Sequence, residues 1–186
     1  MRKCFDNTNM KVRLRAITEK DTANILKWRN STDVRKNLFG QADLTESEHI
    51  EWLDKKIKTG LCFQYIIEIT DDTNRIDIGT VLLKRKETDL SEGEFGMFIG
   101  NANYRGKHLA TIATLSFLDI CFGKYKMNRI HFFVFEDNTA AIKAYMRAGV
   151  EPSKRICPVI NGKQVLLMEI SQKMWNLQKV HRAVSL

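Results

Sequence analysis

Residues 108–122, HLATIATLSFLDICF, constrain the fold more than any other stretch of the chain. At helical spacing Leu109, Ile112, Ala113, Leu115, Leu118 and Cys121 cover most of the helix surface and leave a narrow polar strip. A helix that is apolar on nearly every side has to be enclosed by other elements, not merely docked on a surface. Hydrophobic residues make up 44% of the 186, enough for one sizeable core. That length favours one domain over residues 1–186, with a core of about 12–171 and a tail, 172–186, read as a short helix or frayed end.

The enclosing elements can be read in order. Residues 12–17 alternate apolar and polar, which is the period of a half-buried strand. Thr18 caps a helix expected from Glu19 to about Trp28, and residues 29–40 read as irregular or a short helix. Thr45 and Glu48 have capping-box spacing; Ile50, Leu53 and Ile57 follow on one helical face, and Gly60 ends that helix. Residues 62–69 and 75–85 read as a hairpin around the turn cluster Asp71, Asp72, Thr73, Asn74. Residues 87–93 read as a loop, 94–99 as a short strand and 100–106 as a turn. Gly123 closes the buried helix. Then come a strand over 129–135, a helix over 139–148 capped by Gly149, and strands over 151–160 and 163–170 about an Asn161-Gly162 hairpin turn. This order predicts an α/β (mixed α+β) domain, a mixed sheet covered by helices.

A net charge of +8 points to an anionic partner without naming it. The basic residues are scattered, and no helix-turn-helix, basic stripe or exposed aromatic platform argues for nucleic acid. The cysteines, at 4, 62, 121 and 157, are far apart and lack metal-ligand spacing, so no metal and a reducing compartment are expected. Residues 1–6 lack an apolar leader core, and no run of about 18 apolar residues suggests a membrane span. The expectation is a cytoplasmic protein.

Two stretches carry chemistry. In the first, residues 94–110, a strand runs through a glycine-bearing turn into the buried helix. A turn that opens a helix presents unpaired amides and the positive end of the helix dipole, a ready site for a pyrophosphate. In the second, residues 135–150, Asn138 caps a helix that places Ala141 and Tyr145 on one face.

Together these stretches resemble the GNAT superfamily of acyltransferases. Arg105-Gly106-Lys107-His108-Leu109-Ala110 is similar to that family's Arg/Gln-x-x-Gly-x-Gly/Ala loop, and Asn138, Ala141, Tyr145 and Gly149 match its Asn-x-x-Ala-x-x-x-Tyr-x-x-x-Gly-Phe helix, with Val150 in place of Phe. The resemblance implies a twisted mixed sheet of about six to seven strands with about four helices, whose splayed strands form the cleft for acetyl-CoA. It implies that backbone groups of Phe98 and Gly100, on the strand that also holds Ile99, bind the pantetheine arm. Amides of Arg105, Gly106, Lys107, His108, Leu109 and Ala110 would hold the pyrophosphate, Asn138 would steady the cofactor, and Tyr145 would protonate the departing thiolate. Where the family's loop usually has Gly, this chain has His108, whose imidazole either donates to phosphate, the preferred reading, or crowds it. Glu94 reads equally as a base acting through water or as a solvated strand-end carboxylate.

The acceptor side is less defined. Residues 28–35 and 48–53 are similar to the branch of sugar-nucleotide N-acetyltransferases of the pseudaminic-acid type, and more distantly to ribosomal-protein N-terminal acetyltransferases. Arg29, Asn30 and Arg35 are the candidate substrate contacts, the arginines because guanidinium suits phosphate. A primary-amine acceptor on a nucleotide sugar is the leading expectation. A protein N-terminus, a polyamine, and a non-catalytic acyl-CoA-binding module are the alternatives. Family members often pair through sheet edges, so a homodimer is admitted, although no residue decides it.

Overall fold

A computed structural model describes residues 11–71 and 74–184. Cys4 and the rest of residues 1–10, where no leader is expected, and Asp72 and Thr73 of the expected turn lie outside the described residues. Strand β1 (Lys11–Ala16) is followed by a single turn, Glu19–Asp21, and then by α1 (Thr22–Arg29), α2 (Thr32–Arg35) and α3 (Glu46–Trp52), which runs on into a wider turn at Leu53–Ile57. β2 (Cys62–Asp71), β3 (Asn74–Lys86) and β4 (Asp89–Ile99) lead to α4 (Leu109–Gly123), β5 (Arg129–Phe135) and α5 (Thr139–Arg147). Short β6 (Glu151–Pro152) and β7 (Val159–Ile160), then β8 (Lys163–Ser171) and α6 (Gln172–Val184), complete the order.

The sheet has eight strands in the order β1-β2-β3-β4-β5-β8-β6, with β7 paired to β8. Only β4 and β5 pair in parallel, because α4 crosses between them; every other pair is antiparallel. α4 is enclosed over most of its surface, with Leu109, Ala113, Phe117, Leu118 and Cys121 packed against Phe95, Ile130, Phe132, Met168 and Ile170, while Ile112 stays 39% exposed and Leu115 half-buried. Trp175 of α6 closes that core, so the expected tail is an ordered helix whose indole is buried. On the other face Ile17, Ile25, Trp28, Leu53 and Ile66 form a second core under α1 and α3.

Several expectations need correction. The loop expected at residues 87–93 is mostly strand, since β4 begins at Asp89 and pairs with β3 from Lys86↔Asp89 onward. The expected strand over residues 151–160 breaks into β6 and β7, with Pro152 and Pro158 bounding the irregular stretch between them. The helix expected from Glu19 begins as a 3-10 turn. The turn at Asn161-Gly162 is as read: both residues have positive φ, 53° and 72°, as a type I′ turn requires. Arg15 of β1 donates to both oxygens of buried Asp21, at 3.0 and 2.7 Å, and to Asp77 at 2.6 Å, which ties the edge strand to the first helical turn.

Candidate active site

The cleft begins where two strands part. β4 pairs with β5 from Glu92↔Arg129 to Phe95↔Phe132, and no pairing continues beyond. Residues 96–99 therefore leave residues 133–135, and the wedge opens into a cavity of about 690 Å³. Its walls include Glu94, Met97, Phe98 and Ile99 of β4, Arg105, Gly106 and His108 of the following turn, and Asn138 and Tyr145 around α5. The two motif stretches thus meet at one void.

Strand parity decides which backbone groups face it. Gly100 N–H donates to Ile78 C=O at 2.8 Å, and Ser91 C=O, nine residues earlier, accepts from Asn128 N–H at 2.7 Å. The first bond points toward β3 and the second toward the β5 side. With the β3–β4 register unbroken from Gly79↔Ile99 to Arg85↔Gly93, even-numbered residues of β4 turn their amides and carbonyls to β3 and odd-numbered residues turn theirs to the wedge. Met97 and Ile99, not Phe98 and Gly100, present backbone groups to the cleft. Gly100 serves another purpose: a Cβ there would stand 2.1 Å from Cγ of Trp28, so glycine lets the indole close against the strand.

Arg105 is committed as well. Its guanidinium donates to Ile99 C=O at 3.0 Å and Gly100 C=O at 3.3 Å, and pairs with Asp33 at 3.1 Å. Its side chain fixes the turn, and its own amide goes to Ala102 C=O. The amides of Gly106, His108, Leu109 and Ala110 have no acceptor among the described residues, as expected at the first turn of α4. Lys107 sits 5.1 Å over the Tyr104 ring.

His108 has φ 59° and is the residue that caps α4, which explains why glycine suits the position: a side chain pays about 1–2 kcal/mol of left-handed strain. Its imidazole is drawn to α5, where Arg147 donates to Nδ1 at 3.1 Å. Nδ1 is then the acceptor, and the ring proton resides on Nε2.

Tyr145 is 7% exposed, with its ring edge-on to Phe95 at 5.7 Å and tilted against Phe132 at 5.0 Å. Burial pushes its phenol above the ordinary value, and no hydrogen bond holds the hydroxyl among the described residues. Asn138 caps α5 by accepting from Ala141 N–H at 3.3 Å. Gly149 ends that helix at φ 89°, with its carbonyl taking a 2.8 Å hydrogen bond from Gln178 of α6. Glu94 is half-buried and has no hydrogen-bond or ion-pair partner among the described residues.

The three expected substrate contacts are elsewhere. Arg29 donates to Ala42 C=O at 3.0 Å, Asn30 exchanges hydrogen bonds with Leu44 at 2.8 and 2.9 Å, and Arg35 pairs with Asp43. They lock the loop before α3, and none lines the cavity. A second void of about 480 Å³ shares Glu94 and Phe133 with the first and extends over Lys84, Glu92, His131, Arg155 and Leu167. Among the described residues no group of three metal-ligating side chains occurs, and no helix is long and apolar enough to cross a membrane.

Comparison with known proteins places this geometry. Residues 11–151 match the family described as Acetyltransferase (GNAT) domain. No curated protein matches. Among solved structures, the chain is similar to spermidine N-acetyltransferase from Vibrio cholerae in complex with CoA and spermine, at TM-score 0.77 and 23% identity over 89% of this chain and 98% of that one. It is also similar to a domain from Methanocaldococcus jannaschii, at 0.74 and 20% over 88% and 99%. Aminoglycoside acetyltransferase AAC(6')-Ib in complex with coenzyme A follows, at 0.72 and 19% over 91% and 99%. Identities this low speak for the fold alone.

Proposed function

The chain belongs to the GNAT acetyltransferase domain family and is an acetyl-CoA-dependent N-acetyltransferase; from that premise we propose how its own residues carry the reaction. The observation that carries the reading is the wedge between β4 and β5, where free strand amides, the open first turn of α4 and Tyr145 face one cavity.

Acetyl-CoA supplies an activated thioester. Amides of Gly106, His108, Leu109 and Ala110 bind its pyrophosphate, aided by the α4 dipole. Asn138, at the mouth of α5, borders the pantetheine arm. The N–H groups of Met97 and Ile99 pair with that arm and draw electrons from the thioester carbonyl, a stabilisation that grows as the carbonyl oxygen gains charge. Glu94, with no hydrogen-bond or ion-pair partner among the described residues, takes a proton from the incoming ammonium through water. Tyr145, kept protonated by burial, donates to the departing thiolate. Holding amine and thioester together in one wedge lowers the barrier without a covalent enzyme intermediate.

The acceptor we favour is a primary amine on a phosphorylated molecule, of which an amino-sugar nucleotide is one. A net charge of +8 supports it. Arg29 and Arg35 are not needed for it, being engaged with the loop before α3. A second reading, a polyamine or aminoglycoside acceptor, is favoured by what the solved relatives are named for.

The test is thiol release from acetyl-CoA with amino-sugar nucleotides, peptides, polyamines and aminoglycosides, run beside Tyr145→Phe. Turnover on one class, slowed about 100-fold in the variant with acetyl-CoA affinity kept, is the expected result. Full activity in the variant would remove Tyr145 from the mechanism.

A further inference from the structure

The second cavity lies on the sheet face opposite α4. Ile130 and Phe132 of β5 point into the α4 core, so Arg129, His131 and Phe133 point the other way. A register row crosses that face: Lys84↔Glu94, Glu94↔His131 and His131↔Glu169. Titratable groups therefore follow one another strand by strand beside the wedge.

Most of the charge lining this cavity is already neutralised. Glu92 takes His131 Nε2 at 3.3 Å and Lys86 at 3.5 Å, with Arg129 at 3.9 Å. Arg129 also lies 3.3 Å from Glu169, and Glu87 is paired with Lys56 at 2.9 Å. Arg85 gives its Nε–H to Leu90 C=O at 2.9 Å. Three lining side chains remain without a hydrogen-bond or ion-pair partner among the described residues: Glu94, Lys84 and Arg155. Glu94 at the wedge has Lys84 of β3 as its cross-strand neighbour, and Arg155 and Phe133, the latter 38% exposed, line the same cavity.

We propose that Lys84 and Arg155 form the rim that holds an anionic group, phosphate or carboxylate, of the same acceptor whose amine lies at Glu94. The proposal rests on the acetyltransferase reading and names the acceptor's charge pattern, an amine joined to an anion across an apolar body that rests on Phe133. Each free cation would otherwise repel a second ammonium, so the rim selects against polycations. Binding at the rim places the amine without touching the reacting atoms, so Lys84 and Arg155 are specificity residues.

Matched acceptors test it on the full chain. Glucosamine 6-phosphate is compared with glucosamine for phosphate, alanyl-alanine with its amide for carboxylate, and spermidine is run beside them. The expected result is a kcat/KM about tenfold or more higher for the anionic member of at least one pair, since hydrogen bonds to charged groups are worth that much. The preference should shrink with added salt. It should fall toward one in Lys84→Ala/Arg155→Ala and return in Lys84→Arg/Arg155→Lys. Equal rates within both pairs, preference for spermidine, or an unchanged preference in the alanine variant would overturn the proposal alone. Acetyl-CoA binding with no transfer to any acceptor would overturn the acetyltransferase reading with it.

Discussion

His49 shows how a single buried group sets a pH limit. It is 2% exposed between α1 and α3, where the Thr22 hydroxyl, donating to Glu19 C=O at 2.7 Å, accepts from Nδ1–H at 3.0 Å. Nε2 is buried with no hydrogen-bond partner among the described residues. Burial lowers the pKa of the ring, and nearby Asp21 offsets this only in part. The neutral form is therefore the folded form. As pH falls through about 6.5 the unfolded chain takes up a proton that the folded chain resists, so stability declines with falling pH in that window. Urea unfolding at pH 7.5 and 5.5 should give the lower stability at pH 5.5, and His49→Phe should flatten the difference. Asp21, held below the ordinary carboxylate value by Arg15 and Thr18 against its own burial, loses its contribution only at more acidic pH. An identical pH response in the variant would assign the effect to other groups. Tyr145, Asn138 and His108, which line the cavity, could be picked out from motif spacing. The direction in which the Met97 amide faces could not, because it depends on strand parity, which the Gly100–Ile78 and Asn128–Ser91 hydrogen bonds reveal.

Elements were legible where local chemistry and tertiary pairing agree. The capping box at α3 is one case: Glu48 N–H donates to the Thr45 hydroxyl at 3.3 Å, and Thr45 N–H donates to Glu48 at 2.8 Å. Thr45→Ala should cost about 1 kcal/mol in chemical denaturation, with the urea dependence unchanged. A loss below a few tenths would mean that Asn30, gripping Leu44 next door, holds the helix start unaided. The first half of β4 was missed because residues 89–93, DLSEG, carry no apolar alternation. Pairing with β3 makes them a strand, and that is a property of the partner. The arginines of residues 29–35 have local partners for a related reason. Guanidinium fits phosphate, yet it fits backbone carbonyls and a local aspartate equally well, and these were closer.

At the scale of the whole molecule, one helix too apolar to be exposed and one strand that leaves its neighbour decide the architecture. The enclosure of α4 on a mixed sheet was readable from composition and order. The point of splay was not, because parting after Phe95 and Phe132 is a long-range event with no local signal. In the proposed mechanism this wedge binds acetyl-CoA through the first turn of α4 and the odd-numbered residues of β4. The most direct measurement is backbone-amide NMR of the isotope-labelled chain titrated with acetyl-CoA. Large shifts are expected at Gly106, His108, Leu109, Ala110, Met97 and Ile99, with Gly100 affected less because its N–H already belongs to Ile78. Saturable binding that leaves those amides unmoved, or moves Gly100 and Phe98 in their place, would contradict it.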